Sequence, residues 1–419
     1  MKDLPYLTET FDIAVVGGGS AGVTAAVAAA RIGLHVALIE KYGFLGGAAT
    51  NSTVMTYDGF FYKRETAQWA VGGIGKELID SLDQLGTPMN PYLSKNKNWI
   101  LPFEPESAKK ALDDLVINAG VTCRLHALLI DCKVTNHQIE SITLKDHNGL
   151  IELKARQFVD ASGEADLSMT AGVPMAYEKE PRFAASLCAR IAGIAPNIDL
   201  NRTFLETVAH AAKNNSPSSH LRKDGGFVMR IANSNDIWWM GTDIVTDGLS
   251  SKSLTEAEQQ GRMAAWIFIR ALRDVPGCEN AKLIATGPQI GIRETRHPIA
   301  LQMISESDAL TGKRSDTAIA RAAWNIERHD KPGLPTIKAI GGEGFFDIPM
   351  NSLKASSINN LWLAGRTIGA DRTAFGSLRV MGTAFASGQA AGICAAMSVN
   401  QPAAYAEVKK VLLQAGAIL

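Results

Sequence analysis

Gly17, Gly19 and Gly22 follow directly on the apolar run Phe11-Asp12-Ile13-Ala14-Val15-Val16, and Glu40 closes the next strand-like run, Leu34 to Ile39. Residues of these types at these spacings suit the pyrophosphate of a dinucleotide. A buried strand ends at Val16, and the glycines turn the chain with no Cβ in the way. The first turn of the next helix then points free backbone N–H groups at the phosphates. Glu40 lies about 20 residues past the glycines, where a carboxylate bonds ribose hydroxyls. A carboxylate repels a 2′-phosphate, so NADP is disfavoured. NAD and FAD both carry a free adenosine ribose, and this motif does not separate them. The glycines alone would also suit a ligand-free turn in an α/β fold. Strand, glycines, small-residue helix, second strand and acid, in that order, point to a nucleotide.

A second polar constellation is Arg293, Glu294, Arg296 and His297. If this run is a strand, Arg293 and His297 share one face, and Glu294 and Arg296 share the other. Arginine clamps a substrate carboxylate bidentately, and histidine moves a proton near neutral pH. A Glu294–Arg296 pair at a domain seam with a surface histidine would explain the same residues structurally. Arg366, Asp371, Arg372 and Arg379 are further polar candidates near the C-terminus. Tyr57 and Asp58 are candidates to line a pocket.

These residues must be positioned by an α/β framework. Ala25 to Ala30 make a slim helix ended by Gly33. Residues 55–101 are aromatic, polar and weakly periodic, and are expected to form a lid-like excursion. Ser107 to Asn118 reads as an amphipathic helix closed by Gly120. Val121 to Leu129 is strand-like, and Gln138 to Leu153 reads as a hairpin turning at Asn148-Gly149. Phe158-Val159-Asp160-Ala161-Ser162-Gly163 is another buried strand entering a turn. From about Ala176 to Pro335 the composition shifts, with Trp238, Trp239, Trp266 and Trp324 in this stretch, and Thr255 to Leu272 its clearest helix. Trp238 and Trp239 suit core and sheet packing. Leu361-Trp362-Leu363-Ala364-Gly365-Arg366 is a short strand ending in glycine, and Ser377-Leu378-Arg379-Val380 opens a long helix of small residues.

The chain has 419 residues, 46% of them hydrophobic, and a formal net charge of zero. Two domains are the prior at this length. The charge balance gives no electrostatic footprint for nucleic acid. Arg379 to Val399 raises the question of a membrane span, but Gly382, Gly388, Gln389 and Gly392 make it read as a buried helix. With no basic, cleavable leader at the N-terminus, the cytoplasm is the expected compartment. The five cysteines form no C-x-x-C pair, and the eight histidines show no metal spacing, so no redox dithiol and no metal are expected.

Four stretches together carry a family resemblance: Val16 to Gly22; Glu40-Lys41-Tyr42-Gly43-Phe44-Leu45-Gly46-Gly47-Ala48; Asp160-Ala161-Ser162-Gly163-Glu164-Ala165-Asp166; and Ala364-Gly365-Arg366 with Gly376-Ser377-Leu378-Arg379-Val380-Met381. The chain resembles the FAD-dependent oxidoreductases of the glutathione reductase-like superfamily, in the branch related to fumarate reductase and succinate dehydrogenase flavoproteins. Gly291 to Arg296 resembles a signature of a bacterial subgroup of that family.

The resemblance implies an α/β fold: a Rossmann-like FAD-binding domain with a parallel sheet, over 1–54, 102–175 and 336–419, and an inserted mixed α/β substrate domain over 176–335. By the same resemblance, Gly17, Gly19, Ser20 and Ala21, beside Gly22, hold the pyrophosphate and Glu40 the adenosine ribose. Lys41, Gly46, Gly47 and Ala48 flank the adenosine and the ring system. Leu128 reaches the adenine through its backbone, Ala161 and Gly163 pack on the ADP half, and Gly365 meets the ribityl chain. Ser377, Leu378, Arg379 and Val380 sit at the pyrimidine edge of the flavin. No histidine lies near Ala48 to Ser52, so non-covalent FAD is expected.

No second G-x-G-x-x-G occurs between Asp166 and Asn360, so no NAD(P)H domain is expected. The expected activity is hydride transfer between a small organic substrate and flavin N5, with Arg293, Arg296, His297 and Arg366 as the catalytic candidates. An electron donor or acceptor is a further expected partner, with room for a homo-oligomer. A flavin monooxygenase and a non-catalytic FAD- or NAD-binding subunit are the alternatives.

Overall fold

A computed structural model of the protein describes residues 6–62, 65–94, 96–176, 182–214, 220–333 and 335–419. The chain opens with β1 (Tyr6–Val16), α1 (Ser20–Arg31) and β2 (Val36–Ile39). An excursion carries β3 (Thr56–Asp58), α2 (Gly73–Gln84) and β4 (Trp99–Pro102). The chain returns through α3 (Pro105–Asn118), β5 (Thr122–Arg124), β6 (Leu128–Thr135), β7 (Gln138–Lys145) and β8 (Leu150–Asp160). A second body contains β9 (Ala189–Ala192), α4 (Leu200–Asn214), β10 (Phe227–Arg230), β11 (Ile237–Met240), α5 (Ser251–Leu272) and β12 (Lys282–Thr286). The last third adds β13 (Ala318–Ala322), β14 (Ile326–Arg328), β15 (Phe346–Pro349), β16 (Leu361–Leu363), α6 (Arg372–Leu378) and α7 (Met381–Met397).

The main sheet runs β5-β2-β1-β8, all parallel, and β8 is shared. Its last residues, Phe158–Asp160, pair in parallel with β16, while Leu150–Lys154 pair antiparallel with β7, which in turn pairs with β6. The second arm of the hairpin and the buried strand of the sequence analysis are thus one strand, β8, with two kinds of partner. Ile13, Ala14, Val15 and Val16 are all buried, as expected of a parallel strand covered on both faces. One cover is α1 with α7 against it. An ideal Cβ on Gly388 would lie 2.1 Å from Ala21 O, and one on Gly392 would lie 2.2 Å from Ala25 O. Small residues on both helices permit this approach, and Thr24 Oγ1 locks it by donating to Phe385 O at 2.9 Å.

Three expectations need correction. Among the described residues of 55–101, Tyr57, Phe60, Phe61, Leu78 and Leu82 belong to the same buried cluster as Ile13 and Val15 and pack as core, not as a lid. Tyr57 stacks on Phe103 at 4.0 Å, inside that core. Among the described residues of 297–335, Ile304, Ile319, Ala320 and Ile326 join the first core and not that of the inserted body. The inserted body has its own core of Ile191, Phe204, Trp239, Phe268 and Ile269 beneath the antiparallel sheet β10-β11-β9-β12. There Trp239 stacks on Phe268 at 4.0 Å.

The third correction concerns the C-terminal helix. α6 ends at Leu378, Val380 takes an extended conformation (φ −78°, ψ 155°), and α7 begins at Met381 at 94° to α6. No single helix among the described residues is long and apolar enough to cross a membrane.

Candidate active site

The loop after β1 is as tight as its glycines permit. Gly17 has φ +104°, and an ideal Cβ on it would lie 2.3 Å from Ala161 O. A Cβ on Gly22 would meet Gly17 O at 1.7 Å. α1 therefore starts at Ser20 hard against the strand end. It has no capping side chain and no acid in its first turn. Unsatisfied N–H groups and the positive end of the helix dipole are left for an anion. The second glycine loop closes over this point. Gly46 N donates to Gly18 O at 2.9 Å, and an ideal Cβ on Gly47 would lie 3.0 Å from Gly19 Cα. Gly22 and Gly46 thus shape the cradle.

Glu40 sits at the end of β2, 7% exposed. Its carboxylate accepts from Gly18 N at 2.6 Å and Tyr42 N at 3.0 Å. Burial raises its pKa above the ordinary value, with those N–H groups opposing. Lys41, Leu128, Ser162 and Asp166 line a smaller pocket adjoining Glu40. On the other wall, Gly365 has φ +68° and an ideal Cβ on it would lie 2.9 Å from Ala21 Cβ. Arg366 Nη2 donates to Glu164 Oε1 at 2.6 Å across Gly163, where a Cβ would collide with the guanidinium at 2.4 Å.

These walls bound a cavity of about 1400 Å³, open to solvent, at the carboxyl ends of the parallel strands, the position where open α/β sheets bind ligands. Gly17, Gly19, Ser20, Ala21, Glu40 and Lys41 line one part of it, with Gly47, Ala48, Ala161 and Gly163. The other part is made by the inserted body, β3, β14 and the α6–α7 break. Here Asp58, Arg293, Glu327, His329, Arg379 and Val380 line the same space.

This second part is a dense set of half-buried charges. Arg293 donates to Ala184 O, to Ser186 Oγ at 2.9 Å, and has Asp243 Oδ1 3.8 Å away. Burial lowers its pKa to about 10, with Asp243 opposing. Arg379 Nη2 lies 3.3 Å from Glu327 O and 3.8 Å from Glu327 Oε2. Glu327 accepts from Trp324 Nε1 at 3.1 Å and meets His329 Nε2 at 3.3 Å. Burial opposes Glu327 ionisation, but His329, Arg379 and Arg293 outweigh it and hold the carboxyl below its ordinary range. His329, 2% exposed, is pushed down to about 3 by burial and by Arg293, so it is neutral at pH 7. Burial pushes Asp58 up to about 7, with Glu327 adding and Thr56 and Arg379 opposing.

The polar run at 293–297 is not a strand up to Arg296, and the alternation expected of it fails. Only Arg293 enters the cavity. Arg296 turns away to bond Glu164 O at 2.9 Å and Asp166 at 3.0 Å. His297 is buried against Glu294, Nε2 to Oε1 2.9 Å. Glu294 also takes Arg372 Nε at 2.7 Å and Nη2 at 2.9 Å. Neither the catalytic reading of His297 nor a Glu294–Arg296 pair fits this packing. Ser377 and Leu378 lie behind the cavity wall, where the Ser377 hydroxyl donates to Trp324 O. Arg379 and Val380, at the helix break, do reach the cavity.

Glu327 and His329 were not expected. Their only mark in the sequence is the alternating charged run Glu327-Arg328-His329-Asp330. Among the described residues no group of three or more His, Cys, Asp or Glu gathers to hold a metal ion.

A model of the family described as FAD dependent oxidoreductase matches residues 12–416. Urocanate reductase of Eggerthella lenta is 31% identical over 117 residues, 27% of this chain and 18% of its own. Mitochondrial glycerol-3-phosphate dehydrogenase of Saccharomyces cerevisiae is 44% identical over 107 residues, 23% of this chain and 16% of its own. The match therefore covers less than a fifth of the length of either relative. In fold, the chain is similar to a geranylgeranyl bacteriochlorophyll reductase-like protein of Thermoplasma acidophilum. The TM-score is 0.51 at 13% identity, over 97% of this chain and 84% of that one.

Proposed function

Because the chain belongs to the FAD-dependent oxidoreductase family, we propose that it exchanges a hydride between its FAD and a small organic substrate seated at the charged end of the cavity. The observation that carries this is the continuity of one cavity from the glycine cradle to the half-buried set Asp58, Arg293, Glu327 and Arg379.

The cradle fits the cofactor. Its glycines leave no room for a Cβ, and its helix end is free for the pyrophosphate. Glu40 bonds the ribose with the carboxylate capacity that Gly18 and Tyr42 leave over, and Gly365 admits the ribityl chain. When bound, FAD supplies a two-electron carrier for hydride exchange.

The chain's own groups do the rest. α7 starts at Met381 with no capping side chain, so its N–H groups and dipole favour negative charge at the pyrimidine edge. Arg293, pinned at Ala184 and Ser186, holds the substrate in one orientation. Asp58 is the group that exchanges a proton near neutral pH. The partial burial of these groups lowers the local dielectric and strengthens each of these interactions. The cofactor is non-covalent in this reading, since residues 48–52 offer no histidine. The glycine loop at 43–47 and the Gly376–Met381 stretch favour the branch related to fumarate reductase.

The test is an anaerobic screen of small alcohols, amines and acids against the purified protein. Bleaching of the oxidised flavin bands by one of them, without NAD(P)H, is the expected result. A flavin reduced only by NAD(P)H would overturn this reading in favour of a monooxygenase.

A further inference from the structure

Asp58 stands apart from the other charges in the cavity. Each arginine there already faces a carboxylate: Arg293 has Asp243 at 3.8 Å and Arg379 has Glu327 at 3.8 Å. Arg222, further back, is held by Asp224 at 2.6 Å. Asp58 makes no ion pair among the described residues, and its Oδ1 is buried without a hydrogen-bond partner. Its backbone is fixed. An ideal Cβ on Gly382 would lie 2.5 Å from Asp58 O, and one on Gly59 would lie 2.6 Å from Val380 Cγ2. The Asp58 corner is therefore clamped to the start of α7, and the carboxyl, partly open to the cavity and held on one side by Thr56, keeps Oδ1 without a partner.

We propose that the substrate is a small primary or secondary amine, bound as its ammonium ion by Asp58, which then takes the proton that frees the amine for dehydrogenation. This rests on the hydride-transfer reading above and names its substrate class. The charged and titratable groups around Asp58 are Arg379 at the helix break, Glu327 and His329 on the β14 side, and Arg293 from the inserted body. With His329 neutral, Arg293 and Arg379 cancel Asp243 and Glu327. An ionised Asp58 then leaves one unmatched negative charge. An ammonium ion supplies the matching positive charge and the N–H donor that Oδ1 lacks. A carboxylate substrate would add a second unmatched negative charge.

The chemistry balances. The ammonium N–H bond breaks and its proton joins the Asp58 carboxylate. The nitrogen lone pair so released forms a C=N bond as the neighbouring C–H bond breaks, and its electron pair leaves as hydride to the oxidised flavin. The substrate becomes an iminium ion, which water hydrolyses to a carbonyl compound and a free amine or ammonium. Because Asp58 titrates at about 7, the carboxylate that binds the cation is mostly absent at pH 6 and mostly present at pH 8.

The probes are n-butylamine and its acid counterpart butyrate, titrated into the FAD-loaded protein and read as a shift of the flavin visible bands. The dissociation constant for butylamine should fall about tenfold from pH 6 to pH 8, following the ionised fraction of a group that titrates near 7. Asp58→Asn should abolish that pH dependence and weaken butylamine at least tenfold at pH 8, with FAD retained and butyrate no weaker. Equal butylamine affinity at both pH values overturns the proposal, as does tighter binding of butyrate at both. Should Asp58→Asn lose FAD, the wild-type pH dependence decides alone. A protein that holds no FAD overturns the proposed function itself, whereas flavin bands insensitive to butylamine overturn only the amine.

Discussion

Replacing Glu294 with alanine removes a buried carboxylate that joins three segments. It accepts from Arg372 at 2.7 and 2.9 Å and from Phe183 N at 2.8 Å, and it is bonded by His297 Nε2 at 2.9 Å. Two routes give the cost. Breaking a buried ion pair by deleting one partner costs about 3–5 kcal/mol, and Asp330, 3.4 Å from Arg372, places this case at the lower end. Independently, burial alone would raise the Glu294 pKa, yet the bonds from His297 and Arg372 outweigh it and hold the group at about 2. Against an ordinary value near 4.5, that is about 3 kcal/mol of stability at neutral pH. The folded-state value is depressed, so this contribution is present above pH 4.5 and is lost as pH falls from there towards 2. With an unfolding entropy of about 2.1 cal/mol/K per residue, a chain of this length loses about 3 °C in Tm for that amount. The assay is thermal unfolding of wild type and Glu294→Ala, both saturated with FAD, at pH 7 and at pH 3.5. The variant should melt about 3 °C lower at pH 7, and the gap should narrow at pH 3.5. A variant that melts within 1 °C of wild type at pH 7 would show that the network contributes nothing net.

Other substitutions separate site from scaffold. Arg293→Lys keeps a cation opposite Asp243 but loses the guanidinium fork. It should leave Tm nearly unchanged and slow flavin reduction at least tenfold in stopped flow, a loss of about 1.4 kcal/mol; an unchanged rate would remove Arg293 from substrate positioning. Glu40→Ala strips the ribose of a charge-assisted bond worth about 1.5–3 kcal/mol. FAD affinity measured by dialysis should fall tenfold or more, and undiminished occupancy would refute that contact. Gly392→Ala puts a methyl where Ala25 O lies 2.2 Å away. It should destabilise the fold by about 1–3 kcal/mol through overpacking, visible as a lowered Tm; an unshifted Tm would show that α1 and α7 can part without cost.

The local framework was legible because it rests on short-range signals. Glycines that cannot accept a Cβ, small residues on α1 and the hairpin at Asn148-Gly149 each fix their own neighbourhood. The fork of β8 between a parallel and an antiparallel partner was not legible. The strand alternates over its first half and is buried throughout at its end, but that change does not say which strands are its partners. The charged end of the cavity was harder still. Asp58, Arg293 and Glu327 lie in separate stretches, and only the packing of the inserted body over β3 and β14 brings them together. Arg293 was found by its dense polar run, but that run divides among three tasks. Arg293 faces the cavity, Glu294 and His297 form a buried network with Arg372, and Arg296 ties down Asp166. Residue type could not separate these tasks, because a buried structural ion pair and a catalytic one use the same side chains. The break between α6 and α7 was missed for a related reason. Arg379 and Val380 have ordinary helix propensity, and tertiary contacts, such as Ser377 on Trp324 and Arg379 on Glu327, end the helix.

The central claim is that one cavity holds FAD without a covalent link and presents it to a substrate at the charged end. The most direct measurement is the visible spectrum of the purified protein before and after acid precipitation. The native protein should show oxidised flavin bands, and precipitation should leave a yellow supernatant containing intact FAD over a colourless pellet. A yellow pellet would contradict the non-covalent site, and a protein that stays colourless when FAD is supplied would contradict the cavity's assignment altogether.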